Sequence, residues 1–401
     1  MNRRLMHPLG SGLVVLLISL SGCQTDHATT AAGSGVTAAP VRVDQDNFHA
    51  LWYAGLPVDK GDFINRVWVQ QNLVLVCTPN NVVYSIDKTN GILQSINYVK
   101  GGGREIGTPV VLPRHIVFVG QSNLEIYKRV GGAFERSIQL PFTISSNAVG
   151  TQDQVFFGAN LQGGELIDVS LTATYVPVNW RLVMHGAVRG APGFHTGTLY
   201  VGSGDGGLYA VNVDRTPLWS LDHDRFDTGA EIIGDVKADD TGVYAASNGG
   251  RLVCVSRTTG ILQWQYLCPN RLPNGPDVTR TTVYELIPGM GLAAISKDDP
   301  MAIDDLGRRK VQAVNRTPRW ICPEAAQFVA EDRLLTYVLT TDQQLWGLDR
   351  LTGQVRYRGN GAHFAAAAVN PADDTIYAVT TDGTAYALKS DLHPGSAGYL
   401  E

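Results

Sequence analysis

A short hydrophobic signature recurs eight times along the chain: an apolar residue is followed three positions later by a second apolar or aromatic residue. The first residues of successive copies lie 41, 42, 42, 44, 59, 34 and 40 positions apart. A repeat of about forty residues holds four short strands and their turns, whereas helical solenoids of this period need a 3.6-residue pattern that the chain lacks. The pattern therefore predicts an all-β fold, an eight-bladed β-propeller of four-stranded antiparallel blades. The eight pairs are Val83 and Ile86, Leu124 and Tyr127, Leu166 and Val169, Leu208 and Val211, Leu252 and Val255, Val311 and Val314, Leu345 and Leu348, and Ala385 and Leu388.

Each repeat shows the same order of strands and turns. In one copy the apolar strand Leu199–Gly202 leads through a Gly- and Asp-rich turn to a second strand, Leu208–Val213. Related turns at Ser247–Gly250 and Thr380–Gly383 contain Gly, Asn or Asp, which tolerate the positive φ angles of tight hairpins. Hairpins joined in series predict a four-stranded meander in each blade.

The last repeat lacks its final strand. After Leu388 only residues 389–401 remain, and they contain Pro394 but no Trp-bearing strand. An open propeller would leave strand edges that pair with other chains. The segment Phe48–Leu56, with Trp52 at its centre, reads like the missing strand. We therefore expect the ring to be closed by an N-terminal strand that pairs beside Ala385–Leu388.

The sixth repeat is the most irregular, because its spacing of 59 residues exceeds that of its neighbours. The excess is expected in the charged segment Lys297–Lys310. Insertions that protrude from a regular scaffold often carry binding specificity, although an inert surface loop is the alternative. The candidate partner-binding residues are Asp298, Asp299, Asp304, Asp305, Arg308 and Arg309.

The N-terminus has the pattern of an export signal. Arg3 and Arg4 precede the apolar stretch Gly12–Leu20, which is too short for an ordinary transmembrane helix, and Cys23 follows soon after. Leu20-Ser21-Gly22-Cys23 resembles the lipobox of bacterial lipoproteins, which implies acylation of Cys23 after removal of residues 1–22; a plain secretory signal is the alternative. Gln24 in the next position favours transfer to the outer membrane in Gram-negative bacteria. Residues 23–45 are expected to form a flexible tether, and residues 46–401 the propeller.

Charge and cysteine content restrict the function further. The formal net charge is −5, and no basic run or stripe is present, so a nucleic-acid partner is not expected. An exported compartment permits disulfides. Cys268 and Cys322 follow the Trp-bearing strands of neighbouring repeats, which allows a bridge between them; the alternative is that the cysteines after Cys23 are small buried hydrophobic residues. The sequence contains no Cys-x-x-Cys motif and no Cys/His cluster, so a structural zinc site is not expected.

Polar residues near the starts of the innermost strands could line the rim of the central funnel. Arginine and histidine occur near these positions in several repeats, but the repeats align only to within a residue or two. The candidate rim residues are Arg66, Arg104, Arg189, Arg280 and His363.

Three repeats carry a more specific motif. Trp219 follows the segment Gly207–Asn212, and Thr259–Trp264 follows Arg251–Val255. A Thr-Gly turn follows the third segment, Leu345–Asp349. They resemble the pyrroloquinoline-quinone-type (PQQ-like) propeller repeat, typically Gly-x-Leu-Tyr-Ala-Leu-Asp, then Thr-Gly, then Trp. The resemblance covers essentially residues 46–390. It implies that Thr-Gly makes a turn, that Leu and Val pack between blades and that Trp covers the blade edge.

The resemblance also bears on function. Quinoprotein dehydrogenases with this repeat carry adjacent cysteines and a metal site, and here no two cysteines are adjacent. Lipidated eight-bladed members are similar to scaffold lipoproteins of outer-membrane β-barrel assembly. We therefore expect a cofactor-free, non-catalytic scaffold or protein-binding propeller in the bacterial cell envelope, anchored by lipid on the periplasmic side of the outer membrane, with an envelope protein as partner. The alternatives are a quinone- or metal-dependent oxidoreductase and a propeller that binds carbohydrate or another small ligand.

Overall fold

The structure is a computed structural model that describes residues 47–400, except 102–104, 174–176, 217, 219–224, 298–313 and 360–363. In this part of the chain 33 strands form eight sheets. The eight-bladed propeller predicted by the repeat spacing is confirmed.

Seven blades are built mainly from consecutive strands. Blade 1 contains β2 (Arg66–Gln70), β3 (Leu73–Cys77), β4 (Val82–Asp87) and β5 (Leu93–Tyr98). Blade 2 contains β6 (Val110–Val111), β7 (His115–Val119), β8 (Asn123–Lys128) and β9 (Phe134–Gln139). Blade 3 contains β10 (Val149–Thr151), β11 (Gln154–Ala159), β12 (Glu165–Ser170) and β13 (Val178–Val183). Blade 4 contains β14 (Gly193–His195), β15 (Thr198–Gly202), β16 (Gly207–Asn212) and β17 (Phe226–Asp227).

The second half repeats this order with two departures. Blade 5 contains β18 (Lys237–Ala238), β19 (Val243–Ser247), β20 (Arg251–Val255) and β21 (Leu262–Leu267). Blade 6 contains β22 (Asp277–Val278), β23 (Thr282–Ile287), β24 (Gly291–Ser296) and β26 (Trp320–Cys322), and β25 (Val314–Asn315) is added to blade 5. Blade 7 contains β27 (Ala325–Glu331), β28 (Leu335–Thr340), β29 (Leu345–Asp349) and β30 (Val355–Arg358). Blade 8 contains β31 (Phe364–Ala367), β32 (Ile376–Thr380), β33 (Thr384–Ser390) and β1 (Phe48–Gly55).

The ring closes as the sequence predicts. Strand β1 pairs antiparallel with β33, with Phe48 opposite Ser390 and Gly55 opposite Thr384. The outermost strand of blade 8 therefore comes from the N-terminal side of the domain, and the other three strands come from the C-terminal side.

The assignment of the sixth signature to Val311 and Val314 is wrong. The equivalent strand in blade 6 is β24, in which Leu292 and Ile295 take the two apolar positions. Val314 instead lies on β25, which pairs in parallel with β21 of blade 5, opposite Trp264. A pair of apolar residues three apart satisfies the signature without identifying the neighbours with which it pairs, so Val311 and Val314 satisfied it by coincidence. The excess residues lie between β24 and β26, in the interval 297–319, which includes the predicted segment Lys297–Lys310 and extends beyond it.

The core is divided among the blade interfaces. The described residues form eight buried apolar clusters, one at each contact between neighbouring blades. Tryptophans on the outermost strands link the blades: Trp52 of blade 8 donates from Nε1 to the carbonyl of Lys88 in blade 1 (2.9 Å), and Trp320 of blade 6 donates to that of Arg350 in blade 7 (3.0 Å). A glycine turn lies under each ring, because a Cβ on Gly91, which follows Asn90, or on Gly353, which belongs to a Thr-Gly turn, would meet the indole.

The two faces of the ring differ in their connections. Successive strands of a blade alternate in direction, so the innermost strands all begin on one face. We call this the entry face; it carries the loops that join one blade to the next, such as residues 184–192 and 228–236. The opposite face carries the turn that follows each innermost strand.

Candidate functional site at the central cavity and the entry face

A cavity of about 1030 Å³ lies on the propeller axis and is lined by the innermost strands of all eight blades. Many lining residues are small, including Ala148, Gly150 and the run Ala365–Ala367. Eight strands converge here, so small side chains leave the axis open. The cavity provides space for a ligand, and four of its five charged lining residues, Asp235, Lys237, Asp239 and Asp277, belong to blades 5 and 6.

Glycines bring the loops of blades 4, 5 and 6 into close contact at the entry face. An added Cβ on Gly190 would lie 1.9 Å from the carbonyl oxygen of Gly234, and one on Gly234 would lie 2.2 Å from the backbone nitrogen of Gly275. The amide of Ala191 donates to the carboxylate of Asp235 (2.8 Å). Backbone thus packs directly on backbone, which makes this part of the rim preformed.

Charged side chains on the same loops pair across neighbouring blades. Arg189, which precedes blade 4, contacts Glu231, which precedes blade 5 (2.8 Å), and Asn248 donates to the same carboxylate (2.7 Å). Arg189 and Glu231 are both about half-exposed or less, with 52% and 38% of their side chains accessible. The entry face therefore presents a polar surface whose charges are held in fixed positions and remain accessible to a partner.

Two carboxyl groups on blade 6 have raised pKa values. Burial raises the pKa of Asp277, on the cavity wall, to about 6; Asp235 adds to this shift and Lys237 opposes it. Burial, with Asp277 nearby, raises the pKa of Glu285 on β23 well above its ordinary value. Among the described residues, neither carboxylate oxygen of Glu285 has a hydrogen-bond partner. The equivalent residues of other blades are apolar, for example Val201 and Val338.

The predicted rim residues that the structure describes lie in different parts of the propeller. Arg66 begins β2, lines the cavity and approaches Glu105 to 3.5 Å. Arg189 is on the entry face but outside the cavity lining. Arg280 follows β22 and lies on the opposite face, so it does not join them. Arg104 and His363 lie outside the described residues.

Sequence reasoning missed Glu231, Asp235, Lys237 and Asp277 at this rim. The signal that could have found them is the glycine near the end of each loop, since Gly190, Gly234 and Gly275 each lie just before an innermost strand. Aligning the repeats on these glycines, rather than on arginine, marks the rim positions directly.

The other candidate sites give no metal or disulfide. In the described part of the chain, no group of three or more His, Cys, Asp or Glu side chains could hold a metal ion. Cys77, Cys254, Cys268 and Cys322 are all buried and free. The bridge considered between Cys268 and Cys322 is absent from the structure, because one thiol lies between blades 5 and 6 and the other between blades 6 and 7. The charged insertion with Asp298, Asp299, Asp304, Asp305, Arg308 and Arg309, like Cys23, lies outside the described residues.

Comparison with known proteins supports this architecture. The family described as "Outer membrane protein assembly factor BamB" matches residues 148–283, which span blades 3 to 5 and the start of blade 6. The chain resembles BamB. The crystal structure of BamB from Moraxella catarrhalis superposes with a TM-score of 0.64 at 16% identity, covering 86% of this chain and 98% of that one. The computationally designed protein Ika8 gives a TM-score of 0.60 at 14% identity, covering 83% of this chain and 98% of that one. At these identities the two structures show the fold alone.

Three further findings accompany this likeness. No curated protein matches the sequence significantly. Across the residues that the structure describes, no helix is both long and apolar enough to cross a membrane. The BamB description and both solved structures name no enzymatic activity.

Proposed function

We propose that this protein is a non-catalytic, lipid-anchored scaffold that binds an envelope protein through its entry face and takes part in outer-membrane protein assembly. The observation that carries the proposal is the set of fixed, accessible charges on the loops of blades 4 and 5, above all the Arg189 and Glu231 pair. The family description that matches these same blades names an assembly factor. Accessible charges on a rigid surface favour orientation and specificity in protein association.

The lipid anchor rests on the sequence around Cys23. A tether at residues 23–45 would hold the propeller near the membrane, where a single scaffold meets its partners at high effective concentration. We expect Cys23→Ala to move the protein from the membrane fraction to the soluble fraction, or to leave it unprocessed. Mass spectrometry of the unmutated N-terminus provides the check, and an N-terminal peptide without acyl mass would contradict the anchor.

The partner surface is tested by affinity capture of the full protein from detergent-solubilised envelope. The variant is Arg189→Glu, which places like charges at the contact with Glu231. We expect the unmutated protein to retain an outer-membrane assembly component and the variant to lose it, because a misplaced charge at an interface repels the partner.

A matched control lies on the opposite face. Arg114 and Asp153 also form an exposed ion pair between neighbouring blades (3.1 Å), in the turns that follow β6 and β10. Arg114→Glu repeats the charge reversal away from the entry face and should leave capture unchanged. Equal capture by both variants, or capture without any assembly component, would refute the assignment to this face.

A further inference from the structure

A second cavity, of about 610 Å³, lies at the outer edge of the ring between β5 of blade 1 and β9 of blade 2. It is separate from the central cavity, since the two share no lining residue. Its volume falls within the range of about 300–1,000 Å³ that is typical of sites for small ligands.

The walls of this groove are fixed to each other. Gly132, in the turn before β9, has φ +63° and lies so close to β5 that an added Cβ would be 2.2 Å from that of Ser95. The side-chain amide of Asn97 donates to the carbonyl of Gly132 (2.6 Å), and the hydroxyl of Ser95 donates to Asn97 (3.0 Å). Because these contacts join blade 1 to blade 2, the groove is formed before any ligand arrives.

A series of aromatic rings leads from the core to the groove. Phe118 packs edge-on against Tyr127 with 5.2 Å between ring centroids, and Tyr127 packs edge-on against Phe134 at 5.4 Å. Phe134 is 56% exposed and lines the groove. Its ring therefore offers an aromatic surface whose orientation is set by buried neighbours.

The buried acid in the groove already accepts hydrogen bonds from four donors. Glu125 accepts from the backbone amides of Lys100 and Gly101, from the side chain of Asn123 and from the hydroxyl of Tyr127, at 3.1–3.3 Å. A carboxylate with four donors has little remaining capacity for a cation. A metal ion is thus disfavoured as the occupant.

Neutral polar groups lie beside the aromatic ring. On β9, Ser137 and Gln139 are exposed and sit opposite Glu125 and Asn123. Gln139 donates to the hydroxyl of Ser137 (3.1 Å), and within the described residues its carbonyl oxygen and the hydroxyl of Ser122 have no hydrogen-bond partner. Hydroxyl and amide groups both donate and accept, so they suit a ligand covered with hydroxyl groups.

We propose that this groove binds a neutral oligosaccharide. The C–H face of one pyranose ring stacks on Phe134, whose electron-rich ring face attracts the weakly positive C–H groups. The sugar hydroxyls bond to Ser122, Ser137 and Gln139. A purely apolar ligand would leave these polar groups unsatisfied, whereas a sugar meets both surfaces at once.

The full protein in detergent is titrated calorimetrically with maltotriose and, separately, with triacetylchitotriose. We expect saturable binding of at least one sugar. Phe134→Ala should weaken it by about tenfold or more, since that factor corresponds to only about 1.4 kcal/mol of lost stacking. Gln139→Ala should weaken it less, because one of several hydrogen bonds is removed.

The control is Leu267→Ala, on β21, the fourth strand of blade 5, where Leu267 is also 56% exposed. This variant should bind the sugar as the unmutated protein does. Circular dichroism melts establish that all three variants fold; if Phe134→Ala does not, Gln139→Ala decides the outcome. No saturable binding of either sugar, or binding that the folded groove variants leave unchanged, would overturn the proposal.

Discussion

The ionisation of Asp277 links the cavity wall to the stability of the protein. Its pKa of about 6 in the folded state exceeds the ordinary carboxyl value of about 4. The folded protein therefore holds this proton more tightly, so the contribution to stability is complete below about pH 4 and is lost as the pH rises to about 6. We expect Asp277→Asn to remove this loss, on the order of 2 kcal/mol, as measured by urea denaturation between pH 4 and 7. An unchanged pH dependence would contradict the assignment.

Glu285 should destabilise the folded protein at neutral pH, because it is fully buried and its oxygens have no partner among the described residues. Burying an unpaired ionisable group costs several kcal/mol unless the group takes up a proton. We expect Glu285→Leu to raise the free energy of unfolding at pH 7 by about 1–3 kcal/mol. Glu285→Gln should raise it less, since an amide at the same place still needs partners. A loss of stability in the leucine variant would show that the carboxyl group is satisfied in the folded protein.

At the level of secondary-structure elements, β1 closes the ring with side chains on one side of the strand buried against blade 1. Trp52 is buried against blade 1, whereas Tyr53, the next residue, is 57% exposed. We expect Trp52→Ala to cost about 3–5 kcal/mol through lost aromatic burial. Tyr53→Ala is the matched control on the same strand, and thermal melts of the two variants provide the measurement. Equal melting temperatures would argue against the closure by β1.

The turn of blade 1 that contacts Trp52 makes a second contact with blade 8 through Lys88. The carbonyl of Lys88 accepts from the indole, and its ammonium group contacts Asp373 of blade 8 (2.7 Å). Burial opposes ionisation of Asp373, but hydrogen bonds led by that from Lys88 lower its pKa to about 2. The pair therefore stabilises the closure above about pH 4, and this contribution is lost as the pH falls towards 2.

The Lys88 contact gives a prediction for acid denaturation. We expect Lys88→Met to lower the free energy of unfolding at pH 7 and to flatten its fall between pH 4 and 2, because the carboxyl of Asp373 loses its charged donor. Arg114→Met removes an ion pair that does not touch the ring closure, and serves as the control. The prediction fails if both variants keep the acid dependence of the unmutated protein.

At the scale of the whole molecule, the fold was predictable because eight blades repeat one physical requirement. Each blade must bury two faces against its neighbours, so the apolar pair recurs near every fortieth residue. The exception is instructive: β24 satisfies the requirement with Leu292 and Ile295, while β25 carries a similar apolar residue but pairs in parallel with blade 5. The spacing of apolar residues indicates which positions are buried. It does not indicate which neighbouring strand a given strand pairs with.

The candidate site was less predictable than the fold. Arg66 was found because it begins an innermost strand, but Asp235 and Asp277 acquire their properties from neighbouring blades. Those neighbours are about forty residues away in sequence, and their relation depends on the rotation of one blade against the next. The groove at Phe134 depends in the same way on two blades. Residues that act across a blade interface leave little trace in a local pattern.

The shared blade also sets the order in which the protein can fold as it is made. His49 on β1 contacts Asp391 just beyond β33, although the two are 342 positions apart. During synthesis β1 emerges first and must wait, unpaired, for a partner that emerges last. The entropic cost of joining such distant segments grows only with the logarithm of their separation, but contacts between distant residues form slowly. Until the final blade is complete, a newly made chain therefore carries the unpaired edge of β1, and protection from aggregation matters most in that interval.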